Sequence, residues 1–163
     1  MEYLKTGQAF YENILDVNLN SVFWMCQNFI RSRGRAGGTI VNIASIEAVV
    51  PFKEEMIHYS ISKSGVYSLT RSLAHDFGKA GFKVNGVIPG VVKTPGIYNV
   101  AKTAIKKLRF DLIKTGYNYK CRLALGRLGE PDEIAKVIFF LCSGLASYVQ
   151  GAMIPVDGGF LSS

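Results

Sequence analysis

The chain has 163 residues, 48% hydrophobic and 19% charged, which is enough apolar material for one domain with a core and too little charge for a disordered segment. Its net charge of +7 is concentrated: nine Lys or Arg stand between Lys93 and Arg127 against the single acid Asp111, while the remainder holds ten bases and eleven acids. The basicity therefore belongs to one segment, and no recognition motif accompanies it, so nucleic acid is not an expected partner.

The opening stretch MEYLKTGQAF mixes acid and base around no apolar centre, unlike a signal peptide. The longest apolar run, near Val137 to Leu141, is too short to span a bilayer, so no membrane is expected. Cys26, Cys121 and Cys142 are odd in number, widely spaced and form no CxxC, which points to a reduced, cytoplasmic protein without a metal site. Cys26 and Cys142 fall in apolar helical stretches and are expected to be buried as small hydrophobes.

Residues 8–33 predict a helix, with Phe10, Ile14, Val17, Val22, Met25, Cys26, Phe29 and Ile30 at three- and four-residue intervals. Asn18 and Asn20 interrupt its middle, and Gly34, Gly37 and Gly38 end it. TIVNIAS (39–45) is β-branched and closed by a polar residue, which predicts a strand covered on both faces. After a loop around Pro51, a helix is expected from about Met56 to Lys79, then a second strand at 83–88, stopped by Pro89-Gly90. Strand, long helix, strand is a right-handed βαβ unit with parallel strands. The segment from Val91 to Arg127 reads as irregular and partly helical. Pro131, Asp132 and Glu133 open another helix, and AMIPVDGG (152–159) supplies a third strand.

Ligands of open parallel sheets bind beyond the carboxyl ends of the strands. Ser45, Pro89-Gly90 and Asp157-Gly158-Gly159 mark those ends here, and the turn carrying Tyr59 returns to the same rim. Within HYSISK, Tyr59 and Lys63 are spaced to share one helical face. The spacing alone says little: with eight tyrosines in 163 residues, chance supplies about 0.6 such Tyr-x-x-x-Lys pairs, and Tyr98 with Lys102 is a second. Tyr59 follows a strand-ending serine and opens a core-packing helix, whereas Tyr98 sits in the basic segment, so Tyr98/Lys102 is set aside. An ammonium ~4 Å from a phenol, at an effective dielectric of ~20, favours the phenolate by about 4 kcal/mol. His58 and His75 are expected on the surface or in packing.

Read together, ILDVNLNSVF, GTIVNIASIEA, HYSISKSGVYSLTRSLA, KVNGVIPGVVKTP, GRLGEPDEIAKVIFFLCS and GAMIPVDGG resemble, in order, the short-chain dehydrogenase/reductases. The resemblance runs from about Glu12 onward. It implies an α/β fold: a partial, Rossmann-like doubly wound parallel sheet, the carboxyl-terminal half of the family's domain, with about three strands and flanking helices. It implies a catalytic set of Asn18, Ser45, Tyr59 and Lys63, and contacts to NAD or NADP from Tyr59, Lys63, Pro89, Gly90, Val92 and Thr94. The expected reaction is hydride transfer between nicotinamide and a small carbonyl or alcohol substrate. Asn18 would hold a water linking Lys63 to solvent, and 93–127 would be either a solvated face or a lid over the substrate. The resemblance also implies helix-mediated homo-oligomers, dimer or tetramer.

No GxGxxG-like loop occurs in the sequence; GRAGG at 34–38 precedes a strand rather than following one. The family begins with a strand, such a loop and a further strand–helix pair that hold the adenosine half of the cofactor. The chain is therefore expected to be a single truncated domain over 1–163, with activity impaired or dependent on a complementing amino-terminal half, and with the 39–45 strand edge left bare. The alternative expectation is a non-catalytic oligomerisation module derived from such an enzyme.

Overall fold

The structure, a computed structural model, describes residues 2–106 and 110–162. Of the basic run, Lys107 and Arg109 lie outside the described residues, as do the side chains of Lys106 and Asp111.

The amino-terminal helix forms in two parts, α1 (Gln8–Leu15) and α2 (Ser21–Arg33), joined by a π-helical turn over Asp16–Asn20. The two asparagines expected to interrupt the helix lie in that turn. Asn20 Nδ2 donates to Asp16 Oδ1 at 2.6 Å and Ser21 Oγ to the Val17 carbonyl at 2.7 Å, so short polar side chains satisfy groups that the wider turn loosens.

Three parallel strands follow in spatial order β1 (Gly38–Ile43), β2 (Phe82–Pro89) and β3 (Met153–Val156). A 3₁₀ turn over Ile46–Ala48 leaves β1, and α3 (Ile57–Phe77) crosses back to β2, as the βαβ reading expects. The stretch read as irregular and partly helical holds α4 (Pro95–Lys106) and α5 (Phe110–Cys121), ahead of α6 (Pro131–Cys142). Tyr98 and Lys102 lie on α4, both exposed.

The core divides around β2. Phe82 and Val84 pack with Ala74 of α3 on one face, while Val87 packs with Leu141 of α6 and Ala146 on the other. At the carboxyl rim, Ala44, Ile46, Ile88, Tyr119, Leu123 and Phe160 form a third cluster. Two polar residues tie these layers. Asn85, fully buried on β2, donates to the Val149 carbonyl and accepts from the Ala152 N–H, each at 2.9 Å. Asn42 on β1 donates to Thr70 of α3 at 3.0 Å and accepts from Cys26.

Two expectations are corrected. β1 is covered only in part: Ile40 packs on the α3 side and Val41 on the α6 side, yet of its residues only Asn42 is buried and Ile43 is 40% exposed. Its outer edge, expected to be bare, pairs with no strand among the described residues. Cys142 is exposed, unlike Cys26, because the last turn of α6 presents it away from the Leu141 side that meets the sheet. Burial pushes the Cys26 thiol's pKa up, as for a packing residue. Among the described residues no helix is long and apolar enough to cross a membrane, and no cluster of His, Cys, Asp or Glu has metal-binding geometry.

Candidate active site

The nominated side chains stand on several separate elements. Ser45 follows β1 in extended conformation and caps the 3₁₀ turn, its Oγ accepting from the Glu47 N–H at 3.2 Å. A hydroxyl used as an acceptor retains its proton to donate outward. In the parallel register β1 ends with Ile43 paired to Val87, two residues before Ser45.

Tyr59 and Lys63 leave α3 on one face, with the Lys63 ammonium 5.9 Å from the centroid of the Tyr59 ring. Lys63 Nζ donates to the Ile43 carbonyl at 3.0 Å, which anchors the cation to the end of β1. Its desolvation lowers the Lys63 pKa from the ordinary lysine value. The ammonium thus rests between a strand-end carbonyl and a phenol ring.

Asn18 reaches into α3. Its Nδ2 donates to Ser62 Oγ at 3.3 Å, and Ser62, fully buried, donates to the Tyr59 carbonyl at 2.7 Å. The π turn is thereby linked to the backbone of the tyrosine turn. Close approach there requires Gly65, since a Cβ at that position would stand 2.6 Å from a Leu19 methyl.

Pro89 and Gly90 end β2, and the Gly90 N–H donates to the Val156 carbonyl at 3.1 Å. A Cβ on Gly90 would meet the Tyr119 hydroxyl at 2.6 Å and Asp157 Cα at 2.9 Å, so this turn admits only glycine without rearrangement. Beyond it, Val92 forms an isolated bridge with Gly129, and Thr94 Oγ1 accepts from the Ile97 N–H at 3.4 Å at the start of α4. Both lie on the approach into α4, and neither hydrogen-bonds to Tyr59 or Lys63.

Three residues at this rim went unnominated in the sequence: Ser62, Glu47 and Tyr119. Ser62 carried a signal, being three residues after Tyr59 on the same helix. Tyr119 carried none, since it sits among lysines and is buried at the rim only by tertiary packing. Its oxygen accepts from the Val91 N–H at 2.7 Å and its ring stacks on Phe160 with centroids 4.7 Å apart. Burial pushes its hydroxyl pKa up.

A three-stranded parallel sheet with a polar rim of this kind is part of a doubly wound, ligand-binding α/β architecture. The family model described as enoyl-(acyl carrier protein) reductase matches residues 1–161. The chain is 36% identical to protein FixR of Bradyrhizobium diazoefficiens over 98% of its own length and 52% of that protein's. It is 37% identical to the 3-oxoacyl-[acyl-carrier-protein] reductase FabG of Aquifex aeolicus over 96% of its length and 59% of the relative's. Among solved structures it resembles an Agrobacterium tumefaciens protein provisionally described as a 2-deoxy-D-gluconate 3-dehydrogenase, solved with bound NADP. That match has a TM-score of 0.81 at 30% identity and covers 98% of this chain and 62% of the other. The chain belongs to the short-chain dehydrogenase/reductase family. It spans only 52–59% of the length of these two curated relatives.

Proposed function

We propose that this chain carries the proton-transfer part of an NAD(P)-dependent oxidoreductase acting on a small carbonyl or alcohol substrate. The observation that carries this reading is the Lys63 ammonium, held by the Ile43 carbonyl and facing the Tyr59 ring at a strand end shared with Ser45. The nicotinamide, when bound, supplies or accepts the hydride. As the carbonyl carbon is reduced its oxygen gains charge and needs a proton. The Ser45 hydroxyl holds that oxygen, Tyr59 donates the proton, and Lys63 stabilises the resulting phenolate. Asn18, through Ser62, fixes the backbone of the turn that carries Tyr59.

Pro89, Gly90, Val92 and Thr94 would contact the nicotinamide side, with Tyr59 and Lys63 completing the cofactor contacts. The lack of a Cβ at Gly90 leaves the floor of that contact flat and tightly backed by Asp157. The adenosine side would be held by a further segment lying along the open edge of β1. NAD and NADP are both admitted, and the basic stretch including Lys102, Lys114 and Lys120, all exposed, would cover the substrate.

The chain, alone and mixed with the amino-terminal part of the Aquifex aeolicus reductase, is assayed for NADH- and NADPH-dependent reduction of a panel of small carbonyl compounds. Tyr59→Phe is expected to lower kcat by about 10²–10⁴-fold. No turnover in any combination, or turnover that survives Tyr59→Phe, overturns the proposal.

A second reading, a non-catalytic association module, is favoured by the exposed apolar side chains Phe23, Trp24 and Met25 of α2 and Ile57 and Ile61 of α3. It predicts homo-oligomers in sedimentation, and a strictly monomeric species overturns it.

A further inference from the structure

Between the Ser45 turn and the Tyr59 helix lies a carboxyl group that the proposed chemistry leaves unused. Glu47 is only 4% exposed, yet no cation pairs with it among the described residues. Its Oε1 accepts from the Lys53 N–H and its Oε2 from Ser60 Oγ, both at 3.2 Å. Its own main-chain N–H donates to Ser45 Oγ. One residue therefore reaches Ser45 through its backbone, the intervening loop through one oxygen, and the residue after Tyr59 through the other. Ser64 adds a second stitch one turn further along α3, donating to the Ala48 carbonyl at 3.3 Å.

Burying a carboxyl group costs free energy that an apolar side chain of similar volume would not. What the carboxyl supplies instead is direction, since its two oxygens accept from donors on two separate elements. We infer that Glu47 is a positioning residue that sets the placement of the Ser45 hydroxyl relative to Tyr59. The inference rests on the proton-transfer reading for its kinetic consequence, whereas the strut itself is a matter of hydrogen bonding.

Three variants separate direction from mere filling. Glu47→Gln retains both arms, its amide oxygen accepting from the Lys53 N–H and its NH₂ donating to Ser60 Oγ. Glu47→Met keeps the volume and removes both, and Ser60→Ala removes one. Amide hydrogen exchange on the chain is expected to show lost protection at Lys53 and Glu47 in Glu47→Met, with protection retained in Glu47→Gln. In the complemented turnover assay, Glu47→Met is expected to lower kcat by about 10- to 100-fold with little change in KM for the nicotinamide, and Glu47→Gln to restore most of it. Unchanged exchange at both amides in Glu47→Met, or an unchanged kcat in an assay where wild type turns over, overturns the inference. Should Glu47→Met fail to fold, Ser60→Ala decides, with kcat lowered in support or unchanged in refutation. Absence of wild-type turnover refutes the proton-transfer reading and leaves the exchange result to judge the strut.

Discussion

The two flanks of this sheet are built to different degrees of completion. Toward β3, α6 covers the sheet face: Leu141 and Ala146 are fully buried against Val87, and Tyr119, Phe160 and Leu123 close the rim, although the outer edge of β3 pairs with no strand among the described residues and α6 turns Phe139 outward. On the β1 side, the strand edge is open, Ile43 is exposed, and α2 turns Trp24 and Met25 outward at 56% and 73% exposure. The nominated proton-transfer residues sit on the seam between the flanks. Ser45 extends the open strand, Lys63 and Tyr59 belong to the crossover helix, and Pro89-Gly90 end the central strand. In the proposed reaction, the closed flank would set contacts toward the substrate, and the site would remain approachable from the open flank.

The largest expected effect tests this contrast directly. Leu141→Ala leaves a cavity in the closed flank and is expected to cost about 2–5 kcal/mol in chemical denaturation. Met25→Ala on the open flank is expected to stay within about 0.5 kcal/mol. A Met25→Ala loss as large as that of Leu141→Ala would break the contrast, since it would mean that the open flank is covered in solution.

What was readable in the sequence follows the same division. The order of strands and helices came from local signals: the β-branched run at 39–45, the 3.6-residue stripe of α3, and Pro131 before two acids. The polar interruption of the first helix was visible as Asn18 and Asn20, though its resolution as a π turn depends on Leu19 meeting Gly65 of α3. The exposure of β1 could not be read from its own residues, because TIVNI is as apolar as a doubly covered strand, and cover is decided by neighbours. Cys142 was misplaced for a related reason: one residue after Leu141, it points about 100° away around the helix. At the site, the Tyr59–Lys63 face was visible as a spacing. The partners that hold it, Ile43, Ser62 and Glu47, became visible only once strand and helix were brought together.

A smaller effect sharpens the description of the closed flank. The Tyr119 hydroxyl accepts from the Val91 N–H just beyond the Gly90 turn, and its ring is held by Phe160 and Phe52. Tyr119→Phe keeps the stack and leaves that N–H unpaired, which is expected to cost about 1–3 kcal/mol. Urea unfolding with an unchanged slope is the check, with Tyr148→Phe, fully exposed, as the variant expected to show no effect. Equal stability of the two variants would mean that the turn after β2 does not depend on α5.

The smallest effect concerns how the basic segment is fastened to the closed flank. Arg127 grips Glu133 of α6 through two hydrogen bonds of 2.8 and 2.7 Å, and Glu133 also accepts from the Glu130 N–H at 2.8 Å. The Arg127 guanidinium and that N–H hold the Glu133 carboxyl at a pKa of about 2. A carboxyl depressed in the folded state adds stability above its unfolded value, ~4.3, and loses it as pH falls toward the folded one. Arg127→Gln should therefore lower Tm slightly at pH 6, and the gap to wild type should close between about pH 4.3 and 2. Because the pair is partly exposed, added salt should shrink the same gap at neutral pH. A gap that persists undiminished at pH 2 would mean that Arg127 acts through packing of its alkyl stem, and the fastening of this segment would then not be electrostatic.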